Sequence, residues 1–237
     1  PNPSGSNPDM GAYENSLGAS TAPLPVSGLT VKRATQGASL SWSVVKESLG
    51  SSTDASNIEY QIYQNGTNVA QTASTSYSVT GLTNGTTYSF TVSAKNTSTG
   101  VEGAQSGAET VTPRYQGPKW YVAASGGKSL SDTTTNYDLG SSSSPINHLS
   151  NGIEIAAAGD TIVMMKGTHT GSNNRGINEN GNKSFIIMGD PDYSADQTII
   201  DAGARDRHFT FDNNEDTTYQ IIGLTLYNGK TTSSGGG

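Results

Sequence analysis

Apolar and polar residues alternate with a period of two along the middle of the chain, a pattern that predicts strands with one buried face. In one such run Leu40, Trp42 and Val44 lie on the same side. A second run ends at Asn65-Gly66, which indicates a hairpin because both turn positions need a positive φ. Seven short strands of this kind over residues 25–113 predict an immunoglobulin-like sandwich.

The second half of the chain has short apolar runs separated by turn-rich stretches. Ile146, Leu149 and Ile153 recur at helical spacing after Ser143-Ser144-Pro145, which predicts a helix over about residues 145–158. Strands that recur at short intervals predict a stacked solenoid, in which each coil buries its apolar face on its neighbours. The runs that predict them are Trp120-Tyr121-Val122, Thr161–Met165, Ser184–Met188, Thr198–Ile200, His208–Phe211 and Tyr219–Leu226.

The sandwich region resembles a fibronectin type III domain over about residues 24–113. The resemblance is carried by the Trp42 strand, by Tyr60-x-Ile62 and by Gly81-Leu82-x-x-Gly85-Thr86-x-Tyr88-x-Phe90-x-Val92. Leu82 with Tyr88 matches the tyrosine corner of the family, in which the phenolic OH bonds to backbone upstream. The polar stretch Lys46 to Asn57 is long for a strand connection and is expected to form an enlarged surface loop.

The last region resembles the N-terminal coils of a right-handed parallel β-helix of the pectin-lyase-like superfamily, over about residues 119–237. Four segments carry this resemblance in order: Trp120-Tyr121-Val122, the helix leading into Ala157-Ala158-Gly159-Asp160-Thr161-Ile162, Lys166-Gly167-Thr168, and Gly223-Leu224-Thr225-Leu226-x-Asn228-Gly229. The helix is expected to cap the N-terminal end of the stack, and the end at Gly237 is expected to be uncovered. The expected fold class is therefore all-β: an immunoglobulin-like (fibronectin type III) sandwich plus the start of a right-handed parallel β-helix with a short capping helix.

Pro8-Asp9-Met10-Gly11-Ala12-Tyr13-Glu14 resembles the last segment of such β-helices in large bacterial surface proteins. The chain is thus expected to begin in one repeat domain and to stop within another. The predicted organisation has four parts: 1–24, the tail of a preceding β-helix or a linker; 25–113, the fibronectin type III domain; 114–118, a hinge bracketed by prolines; and 119–237, a truncated N-terminal part of a β-helix.

The amino-acid composition argues against nucleic acid and membrane as binding partners. Hydrophobic residues make up 32% and charged residues 14% of 237 residues, with a net charge of −7. An acidic chain without a basic patch has no phosphate-binding footprint, so we expect no nucleic-acid partner. No window is long and apolar enough for membrane insertion of this segment. There is no cysteine, which rules out disulfides and thiolate sites and favours a bacterial source.

Carboxylates are the first candidates for chemistry. Seven aspartates could supply a calcium site or an acid–base pair, but turn chemistry is the favoured interpretation because Asp accepts backbone NH bonds in turns. The resemblance implies that any calcium-binding catalytic coils lie beyond Gly237. Arg205 and Arg207 flank Asp206, and a surface ion pair is favoured there over a catalytic base. The seven are Asp190, Asp192, Asp196, Asp201, Asp206, Asp212 and Asp216.

Histidines and aromatic residues are the remaining candidates for metal and sugar binding. His148, His169 and His208 are far apart in sequence without metal-ligand spacing, and His148 is expected to be solvated on the predicted helix. Most aromatic residues are assigned to the cores, which leaves three tyrosines as candidates for exposed rings that could stack on sugars. These are Tyr63, Tyr115 and Tyr137.

The sequence assigns no catalytic, cofactor-binding or metal residue, and calcium is the one cofactor it leaves open. The interpretation is a fragment of a modular extracellular or cell-surface bacterial protein that serves adhesion, glycan association or surface scaffolding, with the fibronectin type III domain as a spacer. Expected partners are polysaccharide or cell-surface glycan and the rest of the parent chain. Two alternatives stay open: part of a polysaccharide lyase or glycoside hydrolase whose catalytic coils lie beyond residue 237, and a purely structural stalk.

Overall fold

The computed structural model describes residues 22–48, 51–52, 57–179, 184–211 and 219–231. The chain divides into two compact units between Pro113 and Arg114. Residues 1–21, which include the predicted tail of a preceding repeat domain, lie outside the described residues. Within those residues no helix is both long and apolar enough to cross a membrane.

The first unit is built from antiparallel strands. They are β1 (Thr30–Ala34), β2 (Gly37–Ser41), β3 (Glu47–Ser48), β4 (Ser51–Ser52), β5 (Ile58–Gln64), β6 (Thr67–Thr72), β7 (Ser76–Thr80), β8 (Tyr88–Asn96) and β9 (Glu109–Val111). Two sheets have the orders β6-β5-β8-β9 and β1-β2-β7, and the short pair β3–β4 lies within the predicted enlarged loop.

Alternation along the central strands builds the core of this unit. Tyr60 and Phe90 are almost fully buried, and the ring of Trp42 packs edge-on against Tyr60 at a centroid distance of 5.3 Å. The prediction that Val44 faces the core is wrong: Val44 is 46% exposed, whereas Val45 is 6% exposed. Strand β2 ends at Ser41, so the period of two no longer applies beyond it.

The tyrosine corner is present. The phenolic oxygen of Tyr88 accepts a hydrogen bond from the backbone N–H of Thr83 at 3.1 Å, and Leu82 lies in the core beside it. The hairpin at Asn65-Gly66 has φ values of 50° and 81°, as its sequence requires. Both local predictions are confirmed.

The described residues of the second unit form short parallel strands and one α-helix. The helix is α1 (Leu149–Ile155), and 3₁₀ turns occur at Leu130–Thr134, Ser172–Asn174 and Ala195–Gln197. The strands are β10 (Lys119–Val122), β11 (Thr161–Met164), β12 (Gly167–His169), β13 (Ile177–Glu179), β14 (Ile186–Gly189), β15 (Thr198–Asp201), β16 (Phe209–Phe211), β17 (Gln220–Ile222) and β18 (Thr225–Tyr227).

These strands form three parallel sheets, which have the orders β10-β11-β14-β17, β12-β15-β18 and β13-β16. From β11 onward the chain visits the sheets in the same order: β11, β12 and β13 form a first coil, β14, β15 and β16 a second, and β17 and β18 a third. Matching apolar side chains stack between coils, because Ile162 is in register with Ile187 and Ile187 with Ile221. Ile162 and Ile187 belong to one buried cluster, and the half-buried Ile221 packs against it.

Helix α1 packs against β10 and β11 at the start of the stack. A β-carbon placed on Gly152 would lie 3.0 Å from Cγ2 of Val122, so this glycine permits the close approach. The helix begins at Leu149, later than predicted. Ile146 is instead extended, since its N–H donates to the carbonyl of Tyr121 and its own carbonyl accepts from Ala123.

Candidate functional site

Apolar side chains of the described residues are exposed at the end of the stack opposite the helix, which we call the open end. Leu226 of β18 is in register with Ile200 of β15, yet Ile200 is fully buried and Leu226 is 45% exposed. Phe211, at the end of β16, is 46% exposed. A cavity of about 410 Å³ opens here between β16 and the segment after β18, lined by rings such as Phe209 and Phe211 and by the basic side chains of Arg207, His208 and Lys230.

His208 joins two coils at this cavity. Its Nε2 lies 3.0 Å from the carbonyl oxygen of Ile200 and 2.9 Å from that of Tyr227. Carbonyl oxygens only accept hydrogen bonds, so Nε2 carries the hydrogen, and in the neutral ring Nδ1 carries the lone pair. The imidazole is therefore a structural link between β15 and β18.

The other two histidines lie elsewhere in the unit. His169 is fully buried, and its Nε2 is 2.8 Å from the carbonyl oxygen of Met165. Burial lowers the pKa of His169 below its ordinary value, and the bond to Met165 opposes this only in part. His148 is the N-cap of α1 and is half-buried, so the expectation of a solvated ring is wrong. Among the described residues, no group of three or more His, Cys, Asp or Glu side chains could hold a metal ion.

The described aspartates make turn contacts. Asp201 Oδ1 accepts from the N–H of Gly203 at 2.7 Å, and Asp206 Oδ1 accepts from the N–H of Arg207 at 2.8 Å. Asp190 Oδ1 accepts from the N–H of Asp192 at 3.2 Å. Asp212 and Asp216 lie outside the described residues. Calcium therefore remains a prediction, and so does an ion pair between Asp206 and the flanking arginines.

Sequence reasoning did not identify one carboxylate that joins two separate parts of the second unit. Asp160 Oδ2 accepts from the indole N–H of Trp120 at 2.7 Å and from the backbone N–H of Ala157 at 2.9 Å. It thereby ties the first strand of the stack to the turn before β11. An Asp that directly follows Gly159, which has a φ of 87°, is the one local signal for this role, and it does not indicate Trp120 as the partner.

The three candidate tyrosines are half-buried and have partners. Tyr63 OH donates to Glu102 Oε1 at 2.6 Å, and this bond raises the pKa of Tyr63. Burial raises the pKa of Tyr115, whose OH donates to the carbonyl of Lys119. The guanidinium of Arg114 lies 5.1 Å from the ring centroid of Tyr137.

The more exposed aromatic side chains belong to the second unit. They are Tyr193, Phe211 and Tyr227. The ammonium of Lys166 lies 4.5 Å from the ring centroid of Tyr193, so one face of that ring is covered. Tyr227 is the most exposed of the three at 56%, and it lies beside the open end of the stack.

An antiparallel sandwich and a stack of short parallel strands together define a two-unit, mostly-β modular protein. Residues 24–109 match the family model of the fibronectin type III domain. The first unit therefore contains a fibronectin type III domain, and the resemblance read from Trp42, Leu82 and Tyr88 is confirmed.

Two curated bacterial proteins are similar to the chain. It is 29% identical over 226 residues to chitinase Chi52 of Paenibacillus xylanexedens, which covers 88% of this chain and 40% of that protein. It is 42% identical over 69 residues to chitinase D of Niallia circulans, which covers 27% of this chain and 13% of that protein. The chain thus spans less than half the length of either relative.

Among solved structures, the fibronectin type III domain of human fibronectin type III domain containing protein 3 is 22% identical, with a TM-score of 0.34. That match covers 40% of this chain and 88% of the other.

Proposed function

We propose that this chain is part of a modular extracellular bacterial protein that associates with glycans, for adhesion or surface scaffolding. In this proposal residues 25–113 are a spacer domain, 114–118 a hinge, and 119–237 the first coils of a right-handed parallel β-helix. The observation that carries the proposal is the repeated passage of the chain through the same three parallel sheets, in a chain that also contains a fibronectin type III domain.

The repeated strand order supports a helical winding of the second unit. Parallel neighbours need a crossover between them, and such crossovers are almost always right-handed. A stack of this kind grows by adding coils and presents a long, stiff, polar surface. Such a surface suits contacts with an extended polymer better than the binding of a small molecule in a pocket.

Polysaccharide is the proposed partner for two reasons. Both curated relatives are named chitinases, a name that states a glycan polymer as the substrate of those proteins. The acidic charge of the chain disfavours nucleic acid and anionic membrane. The same relatives also support an extracellular location.

A glycoside hydrolase is the second candidate, favoured by the same names. The protein would then be an enzyme whose catalytic groups lie outside the described residues. A polysaccharide lyase and a purely structural stalk remain weaker alternatives, since no observation favours either.

One experiment separates these functions. The purified chain is mixed with insoluble chitin, cellulose and an acidic polysaccharide, and both the retained protein and the released sugars are measured. Retention without released sugar supports glycan association, whereas soluble oligosaccharides or unsaturated products support an enzyme. The absence of both would contradict the proposal and leave the stalk.

The site of retention can be tested in the same assay. Tyr227→Ala removes the most exposed aromatic ring of the described residues, and Val101→Ala shortens an exposed side chain of the first unit. Reduced retention of Tyr227→Ala alone would place the contact on the second unit. Equal retention of both variants would exclude stacking on Tyr227.

A further inference from the structure

The sequence contains five Asn-Gly pairs, at 65–66, 84–85, 151–152, 180–181 and 228–229. Asparagine is thermolabile, and a following glycine offers no β-carbon to obstruct attack of its backbone nitrogen on the asparagine side chain. The pair at 180–181 lies outside the described residues. The other four differ in how the side-chain amide is held.

Three of these amides are engaged. Asn65 Oδ1 accepts from the N–H of Ser89 at 2.9 Å, and Asn84 Oδ1 accepts from the N–H of Gln36 at 2.9 Å. Asn151 Nδ2 donates to Oδ1 of Asn147, which precedes α1, at 2.8 Å. Each bond must break before the side-chain carbon can rotate toward the next backbone nitrogen.

Asn228 is held differently. It follows β18 at the open end of the stack and is exposed, and no hydrogen bond of its side chain occurs with the described residues. Its backbone φ is 54°, close to the 50° of Asn65. The two residues therefore share a left-handed backbone, and Asn65 is a matched internal reference.

A basic group lies beside the next residue. A β-carbon placed on Gly229 would lie 2.9 Å from Nδ1 of His208, the nitrogen that carries the lone pair because Nε2 faces two carbonyl oxygens. By contrast, nothing lies within 4 Å of the same position on Gly66. A group that can act as a general base therefore lies beside Gly229, and no such group lies beside Gly66.

We propose that Asn228 is a site of spontaneous deamidation, with His208 as the base. The backbone nitrogen of Gly229 attacks Cγ of Asn228, its proton passes to Nδ1 of His208, and the N–Cγ bond forms. The side-chain nitrogen takes up a proton and leaves as ammonia, which closes a five-membered succinimide. Water then opens either carbonyl of the ring, giving aspartate or isoaspartate.

The product changes the end of the stack. Either product adds one negative charge beside the basic cavity. Isoaspartate also adds a backbone atom to the turn, where the carbonyl of Asn228 accepts from the N–H of Ala204 at 2.8 Å. The added atom would displace this bond between the turn and Ala204.

The test is peptide mapping by mass spectrometry after incubation of the whole chain in heavy-oxygen water, which labels newly formed carboxylates. We expect label to accumulate at Asn228 well before Asn65 and Asn84 in the folded protein, and at similar rates at all three in denaturant. A rate at Asn228 equal to or below that at Asn65 in the folded chain would overturn the proposal.

His208→Gln tests the base and keeps an amide that can donate to the carbonyls of the coils. It should lower the folded-state rate at Asn228 by roughly tenfold, below the usual gain from a fully positioned general base, and leave the denatured rate unchanged. His148→Gln is the control and should change neither. An unchanged folded-state rate in His208→Gln would remove His208 from the mechanism, and the labelling ratio of the unmodified chain stays decisive if that variant does not fold.

Discussion

Replacing Asp160 with alanine should destabilise the second unit without affecting the first. The carboxylate accepts from the indole N–H of Trp120 and the backbone N–H of Ala157, and Trp120 is 6% exposed. A hydrogen bond to a charged group contributes about 1.5–3 kcal/mol, and a buried donor left unsatisfied costs about 1–3 kcal/mol. Because part of the site is open to water, we expect a loss of about 3 kcal/mol in the free energy of unfolding.

Asp160→Asn refines the expectation, since its amide oxygen can still accept from the indole. Its loss should be about 1 kcal/mol, the value of exchanging a charged for a neutral acceptor. Asp192→Ala is the control, because Asp192 is an exposed turn residue that uses only its backbone N–H in the turn.

The assay is urea unfolding followed by tryptophan fluorescence. The chain has two tryptophans, and each unit contains one of them in its core, Trp42 in the first and Trp120 in the second. The transition of Trp120 should move to lower urea in Asp160→Ala, and that of Trp42 should stay in place. A shift smaller than that of Asp192→Ala, or an equal shift in both transitions, would refute the reasoning.

Three further predictions concern single groups. Ala204 is exposed and has a φ of 53°, a left-handed conformation that strains alanine and that asparagine tolerates. Ala204→Asn should therefore stabilise the second unit by about 0.5–1 kcal/mol, measured by thermal melts. An unchanged melting midpoint would show that Ala204 is not strained. Burial lowers the pKa of His169, so below about pH 6.5 the unfolded chain takes up a proton that the folded chain resists. The free energy of unfolding should then fall by up to about 1.4 kcal/mol for each pH unit below that value. His169→Gln should make the free energy of unfolding less dependent on pH in this range. Tyr88→Phe should cost the first unit about 1 kcal/mol by removing the acceptor for Thr83, with no change in the second unit.

Local sequence patterns predict much of the fold of the first unit. Alternation places Leu40 and Trp42 on the buried face, and the spacing of Leu82 and Tyr88 identifies the tyrosine corner. These signals work because they depend on residues close in sequence and on one strand geometry. The alternation fails at Val44, where the strand has already ended and no local residue marks the end.

In the second unit, periodicity identified most of the strands and a helix but not their partners. Ile146 has the spacing of a helical residue, yet it is extended because its backbone groups bond to the carbonyl of Tyr121 and the N–H of Ala123. Asp160 reads as an ordinary turn residue until Trp120, 40 positions earlier, is placed against it.

The sequence by itself determined the mostly-β character, the fibronectin type III domain and the turn roles of Asp190, Asp201 and Asp206, because short-range stereochemistry decides each of these. Only the tertiary structure decided which strands share a sheet, that Asp160 ties the first strand to the next, and that His208 links two coils beside Asn228 and Gly229. These depend on residues brought together from distant parts of the chain, and the apolar pattern of a single strand does not encode its partner.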